Sequence, residues 1–299
     1  MTGAGRERGG YVGRALLGAA LLLVAAAAGA EAQTVLPATI DRYGFLTVRV
    51  GPPGRPAGTW IVDLGAGTEV LSDSAAARLG RGPAGYFTAF RSTGERVDAR
   101  RIRITPVALG PVSTPGDAEV WSGLDGLGLD GLVSARTFAR TPVTLDFAGG
   151  RLVIETQASL AARVREGTVL PVETDRLRDV ALDVFVDFDF GGGQRGRCEL
   201  DTGSGSIDLN ERYMAAFGLK KDSAGVTATR MPSGPDVIYR ATLPTDMAPV
   251  GAPALRLAHP RVRFGNYIYD CIVGNTFWST TTLTLDLSHR RVILGPRRP

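Results

Sequence analysis

The sequence contains one pattern twice at a nearly constant offset, and this repeat limits the fold more than any other feature. In each copy a β-prone segment, a Gly-rich or Pro-rich turn and a second hydrophobic segment lead to Asp-x-Gly, at Asp63 and at Asp201. Further along, the hydrophobic hairpins 143–154 and 283–294 match each other in the same way. The offset is 138 residues at the Asp-x-Gly sites and 140 at the hairpins. Such self-similarity predicts two copies of one β-rich lobe.

The repeat also sets the lobe boundaries that we expect. Lobe 1 spans residues 33–157, a linker spans 158–166, and lobe 2 spans 167–299. With 39 Gly and 18 Pro among 299 residues, the chain is rich in the residue types that form tight turns. This composition favours an all-β protein.

Each lobe carries a signal for one short helix after its Asp-x-Gly site. In lobe 1, Ser72 or Asp73 can cap a helix that stops at Gly80. In lobe 2, Asn210 can cap a helix that stops at Gly218. We therefore expect matching short helices in the two lobes.

Residues 1–32 have the pattern of a signal peptide. Three arginines precede an uncharged run, 15–30, that is rich in Ala and Leu, and Ala-Glu-Ala at 30–32 matches a cleavage site. We expect cleavage before Gln33, export to the periplasm or the medium, and no stable membrane span afterwards. The alternative is an uncleaved anchor, although the apolar run is shorter than the roughly 20 residues that a spanning helix needs.

The scarcity of His and Cys excludes several classes of site. The chain has two histidines, His259 and His289, and two cysteines, Cys198 and Cys271. A histidine-rich metal site and a Cys-rich zinc module are therefore excluded, and no Gly-x-Ser-x-Gly motif supports a catalytic triad. The densest basic stretch, 96–103, alternates like a strand with one solvated face, and aromatic residues make up 7% of the chain. We expect no metal, no cofactor and no nucleic-acid partner.

The repeated Asp-x-Gly loop has a chemical meaning when it occurs twice. A hydrophobic strand that ends in this loop presents a carboxylate at a tight turn, where glycine lets another backbone approach closely. Loops from two homologous lobes can meet across a pseudo-two-fold axis, and two adjacent carboxyls then share one proton. The ionised member can take a proton from water while the protonated member donates to a carbonyl oxygen. This arrangement hydrolyses an amide without a metal.

In these motifs the sequence resembles the pepsin/retropepsin-like aspartic proteases. Lobe 2 carries the family's Asp-Thr-Gly-Ser loop at 201–204 and its later hydrophobic-hydrophobic-Gly segment at 272–274. The resemblance covers nearly all of residues 40–298. It implies an all-β fold of two homologous retropepsin-like (acid protease) β-barrel lobes with short helices, in a single-chain, exported member of bacterial type. The implied activity is that of an aspartic endopeptidase acting on an extended peptide or protein, as a monomer with pseudo-two-fold symmetry.

The resemblance also implies roles for individual residues. Asp63 and Asp201 would form the catalytic dyad, one carboxyl from each lobe. Thr202 would supply the hydroxyl that ties the two loops together, and Ser204 would orient the outer carboxylate oxygen. The residues that would support the loops are Gly65, Thr202, Gly203, Ser204 and Gly274.

Lobe 1 departs from the family pattern at two positions. Leu64 stands where the family has Thr or Ser, so half of the hydrogen bonding between the loops is missing and Asp63 could be misplaced. Ser134 replaces the Gly that the close backbone crossing favours. These departures favour an alternative, a peptide-binding pseudoprotease. A further alternative is that the intact lobe 2 pairs with lobe 2 of another chain.

Two other features follow from the resemblance. A flap hairpin that closes over substrate would lie at 87–97 in lobe 1 and at 226–239 in lobe 2, and an ordinary surface hairpin is the alternative for each. Cys198 and Cys271 would lie on neighbouring strands. A disulfide and a pair of free thiols are both open, because the Cα separation cannot be read from sequence.

Overall fold

Strands dominate both halves of the chain in the computed structural model, which describes residues 33–230 and 237–296. The prediction of an all-β, two-lobed fold is confirmed. In the first half the strands are β1 Thr34–Ile40, β2 Leu46–Val50, β3 Gly58–Val62, β4 Val70–Leu71, β5 Gly80–Phe90, β6 Arg96–Ile104, β7 Ala108–Leu109, β8 Val112–Ser113, β9 Asp117–Val120, β10 Gly131–Val133, β11 Val143–Asp146 and β12 Arg151–Ile154. In the second half they are β13 Thr168–Pro171, β14 Glu173–Leu177, β15 Ala181–Gly191, β16 Gln194–Leu200, β17 Ile207–Asn210, β18 Thr227–Arg230, β19 Val237–Thr242, β20 Ala248–Pro249, β21 Arg261–Gly265, β22 Cys271–Val273, β23 Leu283–Asp286 and β24 Arg291–Leu294.

Helices are few and short in the described residues. The α-helices are α1 Asp73–Leu79, α2 Gln157–Glu166 and α3 Asn275–Trp278. The 3-10 segments are Ser122–Leu127, Ala135–Phe138, Glu211–Tyr213, Ala215–Phe217, Pro253–Leu255 and Leu287–His289. Within 33–230 and 237–296, no helix has both the length and the apolar character needed to cross a bilayer.

The two halves meet in a shared sheet that reveals the internal symmetry. Its order is β13-β24-β23-β11-β12-β1, and β11 pairs antiparallel with β23. At the centre of that pair Thr144 faces Thr284, and their hydroxyl oxygens are 2.7 Å apart. Because these threonines are equivalent positions of the repeat, the pseudo-two-fold axis passes between them.

One hydrophobic core extends through both lobes and fixes the strands that lead to the Asp-x-Gly loops. Alternate residues of these strands point inward, as expected for strands with one buried face. In lobe 2 the ring of Phe188 packs edge-on against Phe277, with centroids 5.1 Å apart, and against Trp278 at 5.9 Å. Such aromatic packing makes the support of the loops rigid.

The two predicted helices have different outcomes. The lobe 1 helix is α1: the Ser72 side chain accepts a hydrogen bond from the Ala75 N–H, and the helix ends at Gly80. In lobe 2 the predicted cap at Asn210 and stop at Gly218 are confirmed, but the segment between them forms two 3-10 turns instead of one continuous helix. Tyr213 and Met214 are buried there, so tertiary packing sets the backbone.

The segment predicted as a linker, 158–166, lies within α2. Thr156 and Ser159 form a reciprocal capping box at its N-terminus. Strand β13 follows directly and pairs with β24. The connection between the lobes is therefore a capped helix that leads directly into the shared sheet.

Both regions predicted as flaps contain antiparallel hairpins. In lobe 1, β5 pairs with β6 from Gly80↔Ile104 to Phe90↔Arg96, and we call this hairpin the flap. In lobe 2, β18 pairs with β19. The predicted turn of that second hairpin, 232–235, lies outside the described residues.

Candidate active site

The two Asp-x-Gly loops leave equivalent strands and are held in equivalent ways. Asp63 follows β3, and its backbone N–H donates to the Val133 carbonyl at 2.9 Å. Asp201 follows β16, and its N–H donates to the Val273 carbonyl at 3.1 Å. The strands carrying Val133 and Val273 run parallel to β3 and β16. Each aspartate thus sits where two parallel strands end side by side.

Two glycines allow the loops to pack against each other. A Cβ atom built on Gly65 would lie 2.6 Å from the carboxyl carbon of Asp201, which is too close for any side chain. A Cβ built on Gly203 would collide with the carboxyl of Asp63 in the same way. Since each glycine backbone contacts the carboxyl of the opposite lobe, the two carboxyls lie in one site.

Backbone donors fix the orientation of each carboxyl. Oδ1 of Asp63 accepts hydrogen bonds from the N–H groups of Gly65 at 3.0 Å and Ala66 at 3.1 Å. Oδ1 of Asp201 accepts one from the Gly203 N–H at 2.8 Å. Asp63 therefore has more donors that favour its ionised form.

The two carboxyls have unequal proton affinities. Burial raises the pKa of Asp63, but its backbone donors and a hydrogen bond with Asp201 oppose that rise. Burial raises the pKa of Asp201 well above its usual range, and the neighbouring Asp63 charge raises it further. Asp201 therefore has the higher proton affinity of the two carboxyls.

A single hydroxyl links the two loops. Oγ1 of Thr202 accepts a hydrogen bond from the Leu64 N–H at 2.9 Å and donates one to the Val62 carbonyl at 2.8 Å. Leu64, the equivalent residue in lobe 1, is fully buried in the core and has no hydroxyl, so it cannot make the corresponding hydrogen bonds to the lobe 2 loop. Its effect is nevertheless local, because Asp63 keeps the backbone bonds and the Gly203 contact that position it.

The Ser134 side chain is hydrogen-bonded within a polar cluster behind the lobe 1 loop. Its Oγ donates to Oε1 of the buried Glu69 at 2.6 Å and accepts from the Arg136 N–H at 3.2 Å. The lobe 2 counterpart, Gly274, has no such room, since a Cβ there would collide with the carbonyl oxygens of Ser204 and Ser206. The crossing therefore requires glycine in lobe 2 and fits serine in lobe 1.

The structure differs from the expectation for Ser204. Its hydroxyl lies 3.1 Å from the Ser206 hydroxyl and accepts from the Ser206 N–H at 3.3 Å. The Ser206 hydroxyl in turn donates to Asp208 at 3.1 Å. Ser204 thus bonds to its own turn rather than to the carboxyl of Asp201.

The two cysteines, left open by the sequence, form a disulfide between β16 and β22. Cys198 and Cys271 are register partners on these parallel strands. At the equivalent pair in lobe 1, the Trp60 ring lies against Gly131 so closely that a Cβ on the glycine would collide with it. The two lobes stabilise the same strand pair by different means.

A cleft of about 540 Å³ opens beside the dyad and is covered by the flap. Apolar flap residues, including Phe87 and Phe90, line it together with Asp201 and the β22 residue Ile272. At the flap tip the Ser92 carbonyl accepts a hydrogen bond from the Ile268 N–H of lobe 2 at 2.8 Å. The flap therefore reaches across the cleft in the described structure.

The sequence analysis missed three acidic residues that line this cleft, namely Glu119, Asp183 and Glu199. A usable signal existed for Glu199 alone. It lies two residues before Asp201 on β16, so the two side chains share one face of the strand, whereas the repeat has Ile61 at the equivalent position.

No family model matches the chain, and no curated protein matches it by sequence. Among solved structures it is similar to basic 7S globulin from soybean, with a TM-score of 0.50, 12% identity, and coverage of 88% of this chain and 94% of that one. It is also similar to EDGP, with a TM-score of 0.51, 10% identity, and coverage of 89% and 95%. The chain has the pepsin-like aspartic protease fold. At this level of identity the comparisons show the fold alone, and the expected bacterial type stays a prediction.

Proposed function

We propose that this protein is an exported aspartic endopeptidase with one catalytic carboxyl from each lobe of a single chain. The observation that carries the proposal is the reciprocal packing of the two loops, Gly65 against Asp201 and Gly203 against Asp63. That packing places two carboxyls in one site, and burial raises the pKa of both. The site needs no cofactor for hydrolysis.

The unequal pKa values assign the roles within the dyad. Ionised Asp63 takes a proton from a water molecule, whose oxygen attacks the carbonyl carbon of the scissile amide. Asp201 donates its proton to the carbonyl oxygen, so no full negative charge forms there. When the C–N bond breaks, the proton on Asp63 passes to the departing amine and Asp201 recovers its own. The backbone donors to Asp63 keep it oriented throughout.

The cleft supports an extended peptide as substrate. It lies between the flap and the strands of lobe 2, so a peptide can add to exposed strand edges there. For a peptide to enter the cleft under the flap tip, the hydrogen bond between Ser92 and Ile268 must break. Closure of the flap over the bound peptide would then exclude water. A single chain supplies both carboxyls, which supports a monomeric enzyme.

A second candidate function is peptide binding without turnover. Two observations favour it: Leu64 removes half of the hydroxyl exchange between the loops, and the flap tip is bonded to lobe 2. Pairing of lobe 2 between two chains has less support, because the Gly203 face is already filled by Asp63 of the same chain.

The test is cleavage of a mixed peptide library from about pH 3 to pH 8 by the full-length product, purified after expression with its own N-terminus. Asp63→Asn and Asp201→Asn are compared with Asp222→Asn, which makes the same change at an exposed aspartate outside both Asp-x-Gly loops. We expect the parent and the Asp222 variant to cut, and each dyad variant to lose at least about 100-fold in kcat/KM. The intact mass of the product also reports whether cleavage before Gln33 has occurred.

Other outcomes separate the alternatives. Activity that survives Asp63→Asn but not Asp201→Asn would favour pairing of lobe 2 between chains. Peptides that bind without being cut would favour the pseudoprotease.

A further inference from the structure

Two acidic residues that line the cleft, Asp183 and Glu199, have no role in the proposed hydrolysis, and we call them the acidic wall. Asp183 on β15 and Glu199 on β16 both line the cavity beside Asp201. Phe185 is the register partner of Glu199, and Asp183 lies two residues before Phe185 on the same strand. Because alternate residues of a strand share a face, the two acidic side chains project from the same side of the sheet as Asp201.

Glu199 has no partner for its carboxyl. The residue is only 6% exposed, yet no hydrogen-bond donor and no cation among the described residues contacts its side chain. Burial raises the pKa of Glu199 well above the usual range, and the like charges of Asp201, Asp183 and Asp63 raise it further. An ionised carboxyl is costly to bury unless it is paired, so a cation from outside the chain would stabilise the ionised form of Glu199.

Asp183 shares this lack of partners. No hydrogen bond to its carboxyl occurs in the part of the chain that the structure describes, and a Cβ built on Gly67 would approach its Oδ1 to 2.8 Å. Burial raises the pKa of Asp183 to about 6, and the neighbouring Asp175 adds to the rise. The third acid of the cleft, Glu119, also has a pKa raised by burial to about 6, but it differs in that the nearby charges of Arg101 and Arg136 oppose the rise.

The repeat shows that the fold does not require an acid at position 199. The equivalent residue in lobe 1 is Ile61, which is buried in a small apolar cluster with Leu124 and Leu129. In lobe 2 the neighbouring strand residue Ile272 and the ring of Tyr269 would suit an apolar side chain equally well. A glutamate at this place lowers stability relative to an isoleucine and calls for a functional reason.

We propose that Asp183 and Glu199 form a subsite for the cationic side chain of a lysine or arginine in an extended peptide. The proposal rests on the function proposed above and names its substrate class. Apolar residues that also line the cavity would hold the aliphatic stem of the side chain while its charged end reaches the carboxyls: Leu177, Ile268 and Tyr269. Arg91, the basic residue on the cavity wall, is already paired with Glu95 at 2.9 Å and leaves the acidic wall free.

A metal ion fits this wall less well than a side-chain cation. Across residues 33–230 and 237–296, no three His, Cys, Asp or Glu side chains are grouped so that they could share one metal ion. An ammonium or guanidinium group needs only charge-assisted hydrogen bonds, which two carboxyls can accept.

The experiment uses peptides that the purified protein cleaves, with one position varied at a time. Lysine is compared with norleucine, which has the same carbon stem without the charge, and arginine is compared with its neutral isostere citrulline. At one position we expect the cationic residue to raise kcat/KM about tenfold or more over its neutral match. Glu199→Gln should reduce that ratio to within about twofold, since the amide cannot accept the same charge-assisted bond.

Glu166→Gln is the matched control, because it makes the same chemical change on the exposed end of α2 and should leave the ratio unaltered. Cleavage with no cationic preference at any position, or a preference that persists in Glu199→Gln, would overturn the inference while leaving the peptidase standing. If no peptide is cut, the proposed function fails, and binding of the same matched peptides decides the inference by the same ratio. Equal binding of charged and neutral peptides would then refute it.

Discussion

At the scale of single residues, the two Asp-x-Gly loops are joined by the hydroxyl of Thr202 alone, because the equivalent residue in lobe 1, Leu64, has no hydroxyl. Thr202 is the only side chain that bonds to both flanks of the opposite loop among the described residues, through the Leu64 N–H and the Val62 carbonyl. Thr202→Val keeps the shape and leaves both backbone groups buried without a partner. We expect it to lower the free energy of unfolding by about 2 kcal/mol and kcat/KM by about tenfold or more.

Urea unfolding and peptide cleavage measure these two effects. Thr202→Ser keeps a hydroxyl at the same place and should retain most of both properties. Full activity in Thr202→Val would show that the glycine contacts alone align the dyad.

Ser134 gives a second prediction at this scale. Serine at this position differs from the glycine of the family pattern, and the sequence alone suggests that it disturbs the loop. In the structure its hydroxyl donates a hydrogen bond to the buried Glu69, which also binds Arg136 at 3.1 Å. Ser134→Gly should therefore lower the free energy of unfolding by about 1–2 kcal/mol and should not improve cleavage. Ser134→Ala removes the same hydroxyl without adding backbone freedom and separates the two contributions. A glycine variant that is more active and equally stable would contradict this view.

At the scale of elements, the strand pair β16–β22 is joined by the disulfide, whereas β3–β10 in lobe 1 has Trp60 over Gly131. The disulfide closes a loop between residues 73 positions apart in sequence. Replacing both cysteines by alanine should lower the free energy of unfolding by about 2–4 kcal/mol. Urea unfolding of the oxidised protein, the reduced protein and the double variant tests this. Equal midpoints for all three would show that packing alone holds β16 against β22.

The elements also show which features the sequence predicts and which it does not. The strands, the α1 helix and the two-fold repeat follow from local patterns, because hydrophobic alternation and capping residues act over a few positions. The 3-10 turns after Asn210 do not follow, since the burial of Tyr213 and Met214 sets that backbone. The helical linker escaped notice because its capping pair, Thr156 and Ser159, lacks the usual acidic partner.

The candidate site divides in the same way. Asp63, Asp201 and the glycines beside them are marked by the repeated motif and meet as that motif predicts. Glu199 was missed because a lone acid on an alternating strand normally indicates a solvated face. Its burial comes from segments distant in sequence, and Tyr269 and the flap are examples. Non-local contacts of this kind leave no local pattern.

At the scale of the whole molecule, the backbone symmetry is close and the electrostatic symmetry is not. The shared sheet and the crossed glycines obey the two-fold repeat, yet two of the three acids that line the cleft beside the dyad, Asp183 and Glu199, lie in lobe 2 and only Glu119 lies in lobe 1. Burial, and then the nearby charges of Asp63 and Asp208, raise the pKa of Asp201 well above its usual range and so favour its protonated form. We expect cleavage to decline at high pH as Asp201 loses that proton, at a pH well above the usual range of an aspartate. The pH dependence of kcat/KM measures this limb, and a decline near the ordinary aspartate pKa would contradict the assignment.

The same imbalance determines how stability depends on pH. A carboxyl whose pKa is higher in the folded state than in the unfolded state stabilises fully below its unfolded pKa, and that stabilisation is lost as the pH rises through the folded value. Asp183 has a folded pKa of about 6 against a usual 3.8, so the loss falls between roughly pH 4 and pH 7. The free energy of unfolding should therefore decrease over this interval, and Asp183→Asn should remove about 2–3 kcal/mol of the decrease. Asp222→Asn, at an exposed position, should leave the slope unchanged. Chemical denaturation across this interval measures the slope of the free energy of unfolding against pH. If the Asp183 variant has the same slope as the parent, burial does not raise the pKa of Asp183 in the folded protein.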